Sequence, residues 1–263
     1  MRVRVRFSVR EPVRLPINQN YFLASAIYQV LGARPDYARF LHDHGYTHDA
    51  TGRVFKLFVF GPLQCRVRRV VGEEIVLGPG ETDWIVSSPM PEFVTALAEG
   101  LLSQGEIGVR GVSLPIATVE ALTEPQFTPE MSFTCLSPIV VSRPSPDGPY
   151  AQFLLHDDPE LSERIRANLV RKFELVHKRR PEDDYLEMRF DPAYIARRNG
   201  RVTKLIDIRG TRIRGVLAPF CVSGSTELMR IGYECGFGER GSMGFGCVEA
   251  QKSPGLLSAE RLH

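Results

Sequence analysis

Hydrophobic and charged residues alternate at the start of the chain, where Val3, Val5, Phe7 and Val9 are separated by Arg2, Arg4, Arg6 and Ser8. A period of two is that of a strand with one face on a core, and the other face here is basic. After Pro12 and Pro16 the period changes. Phe22, Ala26, Ile27 and Val30 form an apolar stripe at helical spacing, which predicts a helix over 21–31 capped by Asn18 or Asn20. A second short helix is expected over 36–44. Apolar, β-branched runs then predict strands at 54–60, 64–71, 74–77 and 83–87. Pro91 opens a helix through Leu102, and one or two strands cover 107–119. The order β-α-β-β-α-β is that of the ferredoxin-like unit.

The second half repeats this order. Residues 122–129, rich in Pro, Thr and Glu, read as a linker. Strands are expected near 132–142 and 150–155, a long helix from Glu160 to Lys178 behind Asp158-Pro159, and strands at 185–190, 203–208 and 212–222. A helix over 225–235 leads into a glycine-rich loop, and Phe245-Gly246-Cys247-Val248 reads as the last strand. Sequence identity between the halves is not evident, so the repeat rests on element order. The expected fold class is α+β, with two tandem ferredoxin-like (RRM-like) domains at 1–122 and 123–252 and a loose tail at 253–263.

Composition narrows the classes. A chain of 263 residues with 43% hydrophobic and 24% charged residues supports ordinary cores, not a disordered polymer. No apolar run reaches membrane-spanning length. Met1 to Phe7 has no signal-peptide core, so a cytoplasmic chain is expected. Cys65, Cys135, Cys221, Cys235 and Cys247 are scattered and contain no C-x-x-C pair, which points to free thiols. Net charge is only +2, but its distribution is uneven: Arg197, Arg198, Arg201, Lys204, Arg209, Arg212 and Arg214 share a window whose one acid is Asp207. Such a cluster is either a solvated basic face or a surface for phosphates.

His42, His44 and His48 crowd with Asp43 and Asp49 in H-D-H-G-Y-T-H-D. That order lacks the H-E-x-x-H motif of metal hydrolases and matches no standard metal motif, so no metal or cofactor is expected. His156 stands apart, and His177 beside Lys178, Arg179 and Arg180 reads as a basic helix end. No G-x-S-x-G elbow, Walker A loop or Cys/His nucleophile motif is present, and Asp157-Asp158 and Asp183-Asp184 suit loops and caps. Near the end, Gly236-Phe237-Gly238 and Gly244-Phe245-Gly246 flank Arg240 and Gly241. The glycines allow positive φ and would let backbone N–H groups approach a phosphate. Gly236, Gly238 and Gly241 also spell G-x-G-x-x-G, but a helix precedes the loop and too little chain follows for a βαβ unit, so dinucleotide binding is excluded on context.

The stretch Tyr233 to Val248 resembles the C-terminal glycine loop of the CRISPR-associated repeat-processing endoribonucleases, in the repeat-associated RNA-binding superfamily. Its pattern is G-hydrophobic-G, five residues, G-hydrophobic-G. Leu15-Pro16 through Tyr28, Phe40-Leu41-His42 and Leu136-Ser137-Pro138-Ile139 extend the resemblance over nearly the whole chain. It implies a metal-independent endoribonuclease that cuts precursor CRISPR RNA once per repeat, leaving 2′,3′-cyclic phosphate and 5′-OH ends. Such chemistry needs proton removal from the 2′-OH, proton delivery to the leaving 5′-oxygen and charge stabilisation at phosphorus. The resemblance places the catalytic trio at His42, Tyr28 and Lys56. The loop from His42 to Lys56 is longer than in the simplest family pattern, so His44 remains open as the acid or base. Arg39, one turn before His42, is either a phosphate clamp or a solvated residue. RNA contacts are expected from Gly236, Gly238, Arg240, Gly241, Gly244, Gly246 and the Arg197–Arg214 window. Repeat RNA is the implied partner; a multisubunit CRISPR effector complex and a homodimer stay open. The rivals are a non-catalytic RNA-binding subunit of a CRISPR ribonucleoprotein and a nucleotide-binding enzyme.

Overall fold

The computed structural model describes residues 1–145 and 151–251. The tail expected from Ser253 and Tyr150 of an expected strand lie outside the described residues. Six helices are used below: α1 (Asn20–Leu31), α2 (Pro35–Arg39), α3 (Pro91–Gln104), α4 (Leu161–His177), α5 (Pro192–Arg197) and α6 (Thr226–Cys235).

Two antiparallel sheets carry the chain. In the first, the order is Glu106–Val109, Val112–Leu122, Arg2–Val9, Gly80–Ser87, Val59–Phe60. In the second it is Leu186–Phe190, Phe220–Gly224, Glu130–Cys135, Val248–Ala250. In both, the first strand of the half is central, the third and last flank it, and the second sits beyond the third. Helices α1 and α3 connect the first sheet's strands, and α4 and α6 those of the second. Both sheets are therefore ferredoxin-like in connection and order, and the α+β expectation holds.

Val3, Val5, Phe7 and Val9 turn into the first core with Leu23, Ala26, Ile27, Val30 and Leu31 of α1. Phe22 is only partly buried and Leu23 takes its place in the stripe. The second core gathers Phe133, Leu169, Phe173, Phe220 and Phe237. Arg2 departs from its basic face: it is buried, donating from Nη1 to Val248 O (2.7 Å) and from Nη2 to Tyr233 O (2.8 Å). Its guanidinium lies 3.6 Å from the Tyr233 ring centroid, which ties the first strand to the second half.

Four expected strands break where tertiary contacts demand a corner. The run 54–60 divides into Arg53–Phe55 and Val59–Phe60, because Leu57 takes φ +51° and enters the second core while Phe58 enters the first. The run 64–71 divides between the first sheet and a three-stranded sheet of Val13–Pro16, Glu74–Leu77 and Arg68–Val71. The run 132–142 ends as a strand at Cys135 and resumes at Ser142. Pro219, which has no N–H for a ladder, separates Thr211–Val216 from Phe220–Gly224, and the two parts join different sheets. The last strand starts at Val248, not Phe245, because Phe245 and Gly246 belong to the loop.

Candidate active site

Helix α1 begins after Gln19, which makes no side-chain cap. Asn20, an expected cap, instead donates from Nδ2 to Met243 O at 2.9 Å, fastening the helix to the glycine loop. Tyr28 lies on the partly buried side of α1, and burial pushes its hydroxyl pKa up to about 12. The expected helix over 36–44 has two parts: α2, then a wide turn at Phe40–His44 closed by Gly45 N donating to Phe40 O at 2.8 Å. Wide turns of this kind re-aim side chains within a helix. This one directs His42 so that its ring meets Tyr28 edge-on, with centroids 5.3 Å apart at 84°.

Gly45 is required at the exit. Its φ is +70°, and a Cβ there would stand 2.8 Å from Phe55 O and 3.1 Å from Lys56 Cδ. The close approach brings Lys56 under the wide turn, where Nζ donates to Leu41 O and, at 2.7 Å, to His42 O. Burial lowers the Lys56 pKa, and the Asp43 carboxylate acts in the opposite sense. The structure thus brings His42, Tyr28 and Lys56 into one cluster.

The neighbouring acid and histidines divide in role. Asp43 Oδ1 lies 2.7 Å from His42 Nδ1, and this hydrogen bond holds the Asp43 carboxyl below its ordinary range. An ionised carboxylate only accepts, so Nδ1 carries the hydrogen and Nε2 is left for chemistry. His44 is exposed beside Asp43. His48 is withdrawn: it is buried, with Nδ1 at 3.0 Å from Thr51 Oγ1 and Nε2 at 2.7 Å from Glu174 Oε2 on α4. It braces the Tyr46–His48 strand against the second half. Arg39 is exposed at the end of α2.

In the glycine loop several backbone N–H groups turn inward. Gly236, Gly238, Gly244 and Gly246 are buried, as are Phe237 and Phe245 between them. Phe237 N donates to Gly246 O, Gly246 N to Pro138 O and Glu239 N to Val140 O, at 2.7–3.0 Å. Gly246, at φ +73°, has no room for a side chain: a Cβ would meet Phe237 O at 2.1 Å. Lys172, buried on α4, donates to Gly236 O (2.6 Å), Gly238 O (2.8 Å) and Cys235 O (3.3 Å). Arg240 is the loop residue that stays exposed. The glycines permit close packing, and neither Lys172 nor Asn20 was recognisable as their support, because both bonds span the two halves or distant segments.

Nor does the basic window form one face. Arg197 and Arg198 flank Tyr194 at α5, with guanidiniums 5.8 and 5.5 Å from its ring. Thr203–Ile208 and Thr211–Val216 pair as a hairpin in which Ile206 faces Ile213 within a small core. Arg214 opposes Leu205 and Arg212 opposes Asp207 on the outer face, whereas Lys204 follows the phase of Ile206. Arg209 is at the tip and Arg201 precedes the hairpin. Elsewhere, a groove of about 930 Å³ between the sheets is lined by Glu124, Glu130, Glu187 and Glu249 besides Arg4 and Arg189. Its carboxylates suit an RNA backbone poorly.

Family comparison matches residues 14–120 to CRISPR-associated protein Cas6, N-terminal, and residues 122–250 to CRISPR associated protein Cas6, C-terminal. The chain is 32% identical over 254 residues to CRISPR-associated endoribonuclease Cas6 1 of Methanocaldococcus jannaschii, covering 94% of this chain and 92% of that protein. The chain belongs to the CRISPR-associated Cas6 family. CRISPR-associated endoribonuclease Cas6 of Pyrococcus furiosus is 25% identical, with 94% of this chain and 88% of that one covered. Among solved structures, the product of a Cas6-related gene from Pyrococcus furiosus superposes with a TM-score of 0.81 at 26% identity over 96% of this chain and 98% of that one. A further Cas6 structure gives 0.76 at 30% identity, covering 96% and 99%. The fold of this Cas6 family member is thus shared along its length.

Proposed function

We propose that the protein binds CRISPR repeat RNA and cleaves precursor CRISPR RNA within each repeat, without a metal. The names of its relatives support an endoribonuclease of CRISPR RNA. The observation that carries the site assignment is the cluster in which the Tyr28 ring abuts His42 while Lys56 holds the carbonyl of the same His42. In the reaction, the 2′-oxygen forms a bond to phosphorus as its proton leaves, and the bond from phosphorus to the 5′-oxygen breaks as that oxygen gains a proton. The products are a 2′,3′-cyclic phosphate and a 5′-OH.

His42 Nε2 performs one of the two proton transfers. Asp43 fixes the ring by holding Nδ1–H. Tyr28, whose pKa is near 12, keeps its proton and orients a sugar hydroxyl or phosphate oxygen as a hydrogen-bond donor. Lys56 has three N–H donors, of which two hold carbonyls, so the third is free for the charge growing on phosphorus. Arg240, Arg209 and the outer-face Arg212 and Arg214 supply backbone contacts, and the buried glycines shape the loop that presents Arg240. The two units, divided near residue 122, act together, with the trio on the first and the loop on the second.

The deciding experiment is incubation of the purified chain with repeat RNA from its own genome in excess EDTA, beside His42→Ala and His44→Ala. One defined cut that survives EDTA and disappears in His42→Ala is expected. Loss of cutting in His44→Ala alone would transfer the proton role to His44. Tight binding with no cut would replace the proposal with an RNA-holding subunit, and a cut abolished by EDTA would remove the mechanism.

A further inference from the structure

We propose that the start of α1 is a stacking platform for one unpaired base of the bound RNA, built by Tyr21 from the first half and Arg209 from the second. The inference rests on the RNA-processing reading above and adds a place where register is set. Tyr21 is 40% exposed in the first turn of α1. Its ring meets Phe22 edge-on at 5.5 Å and 75°, and the Arg209 guanidinium stands 5.2 Å from its centroid. A guanidinium beside an exposed aromatic ring is the pair of surfaces that single-stranded nucleic acid uses, since every base has a π-face and every nucleotide a phosphate.

The platform is rigid from both sides. Arg209 occupies the hairpin turn at φ +52°, followed by Gly210 at +84°, and Gly210 N donates to Asp207 Oδ1 at 2.9 Å. Behind the turn, Ile206, Ile208 and Ile213 pack on Phe245 of the glycine loop. On the helix side, Asn20 is fastened to Met243 O of the same loop. A second guanidinium, Arg110, lies 5.7 Å from the Phe22 ring. Among the described residues neither Arg110 nor Arg209 forms an ion pair, so neither charge is already neutralised.

Position along the helix gives the platform its function. Tyr21 and Tyr28 are seven residues apart, nearly two turns, and so share one face of α1 about 10 Å apart along the axis. Tyr28 abuts His42. A base laid on Tyr21 therefore stands within a dinucleotide's reach of the phosphate presented to His42. Stacking is tolerant of base identity, so the platform fixes which phosphate is cut and leaves the reading of sequence to other contacts.

The test uses repeat RNAs carrying 2-aminopurine at single positions around the cut, bound to full-length protein with His42→Ala to stop turnover. One position next to the scissile phosphate should be quenched. Adding Tyr21→Ala should abolish that quench and weaken binding about 5- to 100-fold, whereas Tyr21→Phe should preserve both. Arg209→Ala should reduce the quench in part. In protein with native His42, Tyr21→Ala should blur the cut over neighbouring phosphates. Parent-like affinity and quench in Tyr21→Ala would overturn the platform while leaving cleavage intact. Conversely, a Tyr21-dependent quench in a chain that never cuts would leave the platform standing and remove the nuclease reading. RNA that does not bind at all would overturn both.

Discussion

Replacing Lys172 by Met tests how the glycine loop is held. Lys172 is 4% exposed, and all three donors of its ammonium are spent on the carbonyls of Cys235, Gly236 and Gly238 at 3.3, 2.6 and 2.8 Å. These carbonyls include the C-terminal end of α6, where the helix dipole also favours a cation. Met is unbranched and fills similar space, so the change removes the bonds without opening a large cavity. Orphaning the two closely bonded carbonyls costs about 1–3 kcal/mol each. Part of this is offset, because a buried ammonium no longer has to be desolvated. A net loss of about 3 kcal/mol follows, since three oriented dipoles then converge with no positive partner. For a chain of this length roughly 2 °C of Tm corresponds to each kcal/mol, so Tm should fall by about 6 °C. Thermal melts followed by circular dichroism measure the shift, and hydrogen exchange of the 236–246 amides should localise it. A Lys172→Met variant melting at or above the parent would refute the reasoning: desolvation would then outweigh the bonds, and the loop would hold itself.

Three further outcomes are expected. Gly246→Ala sets a methyl 2.1 Å from Phe237 O at a left-handed φ, so it should cost more than about 3 kcal/mol and yield little soluble protein, as expression and melting would report. Tyr28→Phe should slow cleavage about 10-fold or more but leave the shape of its pH–rate profile unchanged below pH 9, because a hydroxyl with pKa about 12 does not titrate there; a lost alkaline limb would show Tyr28 acting as a base. Asp43 has a folded pKa held below its unfolded one by His42, so its contribution to stability is present above the ordinary carboxylate range and fades as pH falls through the lowered value. Asp43→Asn should therefore flatten the acid side of a Tm-against-pH curve and, by freeing the His42 ring, reduce kcat several-fold with little change in KM; a curve identical to the parent's would dissociate the pair.

Local periodicity and the repeated order of elements were enough to give the α+β architecture. Alternation at Val3 to Val9 and the glycine spacing at 236–246 are local signals, and local signals survive in the chain order. The sequence also singled out Tyr28, His42 and Lys56, although only by family resemblance. Only packing fixed where strands had to break, at Leu57 and Pro219, because neighbouring residues there enter different cores or the segments on either side join different sheets. It separated His42 from His48, which look alike in H-D-H-G-Y-T-H-D, by giving one to the surface and the other to Glu174 on α4. It dispersed a linear run of basic residues over a helix, a hairpin tip and two hairpin faces, with Lys204 in the phase opposite to Arg212 and Arg214, since successive side chains of a strand point to opposite faces. And it turned N–H groups of the glycine loop inward, onto the carbonyls of Pro138 and Val140, while Lys172 took up the loop's own carbonyls, because burial of Phe237 in the second core and of Phe245 against the hairpin brings the loop's two arms so close that only hydrogen fits at Gly246.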